Sequence, residues 1–132
     1  MRLPPAAIVR GDAPPDELLL VVRGGRNSLS DAVLERATTD TWERYQFFGV
    51  SVFGAVDDDL GRLSQIQPAI RRRPELRVAR VAVLRTGGFE VVPTFSDPHY
   101  SVVTGDVAPE TFTALRACFS EAVPNPAYEP DR

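Results

Sequence analysis

Five apolar residues in a row, Leu18-Leu19-Leu20-Val21-Val22, constrain this chain more than any other feature. Asp16 bounds the run on one side and Gly24-Gly25 on the other. A strand with one wet face alternates apolar and polar side chains, whereas an unbroken run needs cover on both faces. Leu18–Arg23 is therefore predicted to be an inner strand of a sheet packed on both sides. At 132 residues the chain has the size of one domain, and 43% hydrophobic residues suffice for a core.

Further elements follow from local pattern. Ser28 with Asp31 reads as a helix start, repeated by Asp40 with Glu43, so Ser28–Gln46 is predicted to be one kinked helix or two short ones. Phe47–Phe53 reads as a strand, and Gly49 within it implies close approach of another element. Asp57, Asp58 and Asp59 lead into Leu60, Leu63 and Ile66, a helix that Pro68 ends. Leu76–Ala79 is predicted as a short strand followed by a helical turn from Arg80 to Thr86, stopped by Gly87. Phe89–Val92 and His99–Val103 read as a hairpin around Pro93, Ser96, Asp97 and Pro98. Pro109 opens a final amphipathic helix whose stripe is Phe112, Leu115, Phe119 and Ala122.

These elements predict an α+β fold: a single compact domain with a small, mainly antiparallel sheet packed against helices. The expected organisation is a Pro-rich N-terminal segment over residues 1–16, in which Ala6–Arg10 adds a short strand. The domain then spans 17–123, with an extended Pro-rich tail over 124–132. No apolar run approaches the ~20 residues that span a bilayer. The N-terminus lacks a signal-peptide apolar region, and Cys118 is the lone cysteine. A cytoplasmic protein without a membrane partner is expected.

All 15 basic residues are arginine. With abundant Ala, Val, Pro and Gly, this fits the codon bias of a GC-rich bacterial genome. Every cationic contact must then be a guanidinium, suited to bidentate phosphate or carboxylate binding. Arg71, Arg72, Arg73, Arg77, Arg80 and Arg85 lie close together against the single acid Glu75, although the whole chain has a net charge of −3. That segment is a candidate polyanion-binding patch.

His99 is the only histidine, and it opens the second strand of the predicted hairpin. As a general base near neutrality it could remove a ribose 2′-OH proton while arginines stabilise the phosphorane. Tyr100 falls on the opposite face and Ser101 shares the histidine's face. The plain reading of His99 is a residue that satisfies a strand end.

The segment Val83-Leu84-Arg85-Thr86-Gly87-Gly88-Phe89-Glu90-Val91-Val92, followed by His99-Tyr100-Ser101-Val102, resembles part of the HicA-type mRNA-cleaving toxins. In that family a helix, a Gly-Phe entry into a strand, a turn and a histidine on the next strand follow in order. The resemblance implies a ribonuclease with His99 as catalyst, the toxin half of a toxin–antitoxin pair, with RNA as partner and a cognate antitoxin. It covers about 25 residues, and Asp97-Pro98 stands where the family has Gly-Ser or Gly-Thr.

Arg23, Ser51 and Glu90, each on a different predicted strand, resemble the arrangement in ADP-ribosyltransferases. That resemblance implies an alternative dinucleotide site, with Arg23 on the phosphates and Glu90 on the ribose. The flanking signature of the glutamate is absent. A third class is a non-catalytic protein-binding module of antitoxin, immunity or adaptor type, whose arginines meet an acidic protein partner. Asp57, Asp58 and Asp59 read as a helix cap, so no metal site is predicted, and no cofactor motif is present. Cys118 reads as a small buried hydrophobe.

Overall fold

A computed structural model of the chain describes residues 1–22 and 27–130. It is an α+β fold built on one six-stranded, fully antiparallel sheet. The strands are β1 (Leu19–Val22), β2 (Gly49–Ala55), β3 (Glu75–Arg80), β4 (Glu90–Pro93), β5 (His99–Val103) and β6 (Val123–Pro124). Their order across the sheet is β4-β5-β2-β1-β3-β6. β1 is central, and Leu20, Val21 and Val22 are all buried, as the unbroken apolar run requires.

Alternation along the strands divides the core in two. Leu20, Val22, Val50, Val52, Ala79, Val91 and Val102 form one face, under α1 (Asp31–Tyr45), α4 (Val81–Thr86) and α5 (Pro109–Ala117). Val21, Phe53, Ala55 and Leu76 form the other, under the short α2 (Leu60–Ile66) and α3 (Pro68–Arg71). The β4–β5 hairpin has the expected antiparallel register, with Val91 opposite Val102 and Val92 opposite Ser101. Tyr100 packs against the larger core, while Ser101 shares the His99 face.

Several boundaries differ from the sequence reading. The first helix is single and starts at Asp31, because the Ser30 hydroxyl, not that of Ser28, accepts from the Val33 N–H. β2 is shifted two residues onward, since Phe47 and Phe48 turn the chain out of α1. Ala6–Ile8 is a 3₁₀ turn, and Val9 makes only a single bridge to Thr94 where a strand was expected. The N-terminal segment is nonetheless tied down: the Arg85 guanidinium is ion-paired to Asp16 and donates to the Pro14 carbonyl. The tail is likewise tied to the domain. Val123 and Pro124 pair with Leu76 and Glu75, and buried Asn125 donates to the Ile70 and Arg73 carbonyls while its amide oxygen accepts from Ser64.

Asp106 organises the entry to α5. Its carboxylate accepts from Thr111 Oγ1 at 2.6 Å and from the Ala108 N–H at 3.0 Å, and these bonds hold its pKa below the ordinary carboxylate range. A lowered folded-state value stabilises the fold at pH above that range, and the contribution is lost as pH falls through the lowered value. Asp106→Asn should therefore cost about 0.5–1 kcal/mol near neutrality, a modest figure because the group is exposed. Urea melts at several pH values should show the gap between wild type and variant closing in acid.

Candidate functional site

A cleft of about 300 Å³ opens at the end of the sheet where β1 finishes and β2 begins. One wall is a stripe of α1: Val33, Ala37, Asp40, Thr41 and Arg44, repeating at helical spacing. Leu34 and Thr38, on the adjoining stripe, are buried and hold the helix to the sheet. Thr41 also donates to the Gly49 carbonyl at 3.0 Å, which fixes the distance between wall and floor. The floor includes Ser51 of β2 and Ser101 of β5, which are register partners. Ser28 lines the same cleft, and its hydroxyl is a buried side-chain polar atom with no hydrogen-bond partner among the described residues.

The far side of the cleft is Phe95, in the β4–β5 turn. Phe95 is 42% exposed and has φ of +57°, a left-handed conformation that costs a phenylalanine energy. Its amide donates to the Ile8 carbonyl at 2.8 Å, so the N-terminal segment holds it in place. The Phe95 ring meets Tyr45 at 5.2 Å and His99 at 5.2 Å, and His99 meets Phe53 edge-on at 5.5 Å. His99 is half-buried. Its Nδ1 lies 2.9 Å from Thr94 Oγ1, which lies 2.8 Å from Ser101 Oγ. A chain of hydrogen bonds thus connects the histidine to the cleft floor.

The arginines of residues 71–85 do not gather round that histidine. β3 lies three strands from β5, about 14 Å at the usual strand spacing. Arg80 forms a bidentate pair with Asp58 at 2.5 and 2.6 Å, which raises its own pKa and lowers that of Asp58. Arg85 pairs with Asp16, Arg71 meets Glu129 at 3.3 Å, and Arg77 Nε donates to the Ser120 carbonyl at 2.9 Å. Arg72 and Arg73 are exposed beyond α3. Among the described residues, Arg10 brings a guanidinium to the His99 strand: it donates to the His99 carbonyl at 2.8 Å and lies over the Tyr100 ring at 4.6 Å.

Of the alternative dinucleotide set, Ser51 lines the cleft. Arg23 lies outside the described residues, directly after Val22, which lines it as well. Glu90 is exposed on the edge strand β4, paired with Val103, and is not part of the lining. Asp40 is the carboxylate that does line the cleft among the described residues. Asp59 caps α2 by accepting from the Arg62 N–H at 2.9 Å, and no cluster among the described residues has the makings of a metal site. Cys118 is half-buried just past α5, and burial raises its pKa, which disfavours the reactive thiolate. No described helix is long and apolar enough to cross a membrane.

Sequence reasoning missed Asp40, Arg44, Tyr45, Thr94 and Phe95. The available signal was the α1 stripe of small and polar residues beside the apolar one. Comparison with protein-family models, curated proteins and solved structures gives no match for this chain.

Proposed function

We propose that the protein binds a nicotinamide dinucleotide in the α1–β2–β5 cleft and is ADP-ribosyltransferase-like in design. The observation that carries this reading is the coincidence of the cleft with the end of β1 and with Ser51, joined there by the Ser28 hydroxyl, which has no partner among the described residues. A buried hydroxyl left unpaired costs roughly 1–3 kcal/mol, which a ligand oxygen would recover. The cleft volume, about 300 Å³, suits one nucleotide half, with the other half along the open mouth. Arg44 supplies positive charge in the lining for a phosphate, and Arg23 is the second phosphate ligand that the resemblance implies.

Glu90 departs from that pattern, so the reading is of binding first, with Asp40 placed to face a ribose. An RNA-directed ribonuclease has less support, because Arg71, Arg80 and Arg85 are already paired to carboxylates of the same chain.

Isothermal titration with NAD⁺ and ADP-ribose tests the proposal. Saturable binding is expected, weakened about tenfold in Arg44→Ala and in Arg23→Ala, each the loss of one charge-assisted contact. Absence of binding by the wild type at millimolar ligand, or salt-dependent RNA binding with His99-dependent cleavage in its place, would overturn it.

A further inference from the structure

We infer that His99 is a positioning residue that fixes Ser101 as a hydrogen-bond donor into the cleft, so that the ligand atom seated on Ser101 is an acceptor, a phosphoryl oxygen. The inference rests on the dinucleotide reading for the identity of the ligand, but not for the direction of the relay. Two hydroxyls and an imidazole in a row can be oriented either way: each hydroxyl has one proton, and Nδ1 is a donor or an acceptor according to tautomer.

A fourth atom breaks the tie. The Thr94 carbonyl oxygen lies 3.2 Å from the same Nδ1. A carbonyl oxygen has only lone pairs, so a bare Nδ1 lone pair would face it in repulsion, whereas Nδ1–H is attracted to it. Nδ1 therefore carries the proton and serves both the Thr94 carbonyl and Thr94 Oγ1, at 3.2 and 2.9 Å. Because the ring donates to it, Thr94 Oγ1 keeps its own proton free of the histidine, and the hydroxyl that lies in reach of that proton is Ser101 Oγ at 2.8 Å, which we assign as the acceptor. Ser101 Oγ has then accepted within the protein, and its own proton is left to donate to the cleft.

Burial keeps the relay in this order. Thr94 is 0% exposed and Ser101 4%, so water has little room to enter and reverse a bond. The edge-on contacts of His99 with Phe53 and Phe95 hold the ring plane in which Nδ1 meets Thr94. A donor at Ser101, in a lining that also holds the Arg44 guanidinium, makes the cleft select anionic oxygen.

The first measurement is ¹⁵N NMR of the neutral His99 ring in the wild type. The Nδ1–H tautomer is expected, and the Nε2–H tautomer would overturn the inference whatever the protein binds. The second is ADP-ribose affinity of Ser101→Ala, Thr94→Val, His99→Leu and His99→Asn. The first three should weaken binding about fivefold to tenfold, the loss of one oriented hydrogen bond. His99→Asn places an amide N–H near the Nδ1 position and should bind within about twofold of wild type. Equal affinity of His99→Leu and wild type would overturn the inference while leaving the dinucleotide reading intact. If the wild type does not bind ADP-ribose, that reading fails, and the tautomer still tests the first bond of the relay.

Discussion

Phe119→Ala is expected to destabilise the protein by ~3–5 kcal/mol, the cost of emptying a buried aromatic site. Phe119 lies two residues past the end of α5 yet is only 7% exposed, packed into the larger core with Phe112 and Leu115. The next residue locks the turn to the sheet: the Ser120 N–H donates to the Val78 carbonyl at 2.8 Å, and its hydroxyl accepts from the Val78 N–H at 3.2 Å. The ring therefore sits between a helix end and a strand that are both fixed, so the cavity has little means of collapsing. Equilibrium denaturation measures the loss. A value under about 1 kcal/mol would mean that the α5 end is peripheral and the site relaxes freely.

Gly49→Ala is expected to cost about 1–3 kcal/mol through overpacking. An added Cβ would stand 2.5 Å from Cε2 of Phe47 and 3.3 Å from the Val102 carbonyl oxygen. Phe47 is 1% exposed, so its ring can yield only toward the cleft, and the carbonyl belongs to the neighbouring strand. Because Phe47 also lines the cleft, the strain should appear as weaker ADP-ribose binding as well as lower stability. Combining Gly49→Ala with Phe47→Leu should restore part of the stability by removing the clashing ring edge. A double variant no more stable than Gly49→Ala would show that the strand carbonyl, not the ring, sets the cost.

The parts of the fold legible in the sequence are those decided locally. The apolar run before Gly24 gave away an inner strand because nothing else explains the absence of polar alternation. The strand-to-helix switch at Arg80, the hairpin and the Pro109 helix start all carry short-range chemistry. Helix α1 was mistaken at its start because Ser28 and Ser30 are equivalent in pattern, and only the backbone path determines which hydroxyl meets an N–H. β6 was invisible because two residues ending in proline have no periodicity; pairing with β3 makes them a strand.

The cleft was less legible than the fold. Its walls come from a helix stripe, two separate strands and a turn, and no spacing rule connects them. The left-handed backbone at Phe95 carries no sequence mark, since phenylalanine is not a residue that favours it. Proximity in sequence misled for the arginines. Residues 71 to 85 pass through a helix, a strand and a second helix, which send the guanidiniums in different directions toward acids as distant as Asp16, Asp58 and Glu129.

The two margins of the sheet bear on how this chain behaves at high concentration. An open strand margin is a template on which other chains can polymerise, and proteins survive by blunting it. Here one margin is closed at its end by Ile8, Val9 and Arg10, which bond to Phe95, Thr94 and Pro93. The other finishes in a two-residue strand whose second member is Pro124, a residue with no N–H to offer. The flanking segments, rich in proline and easily dismissed as trimmings, are thus guards against fibre formation.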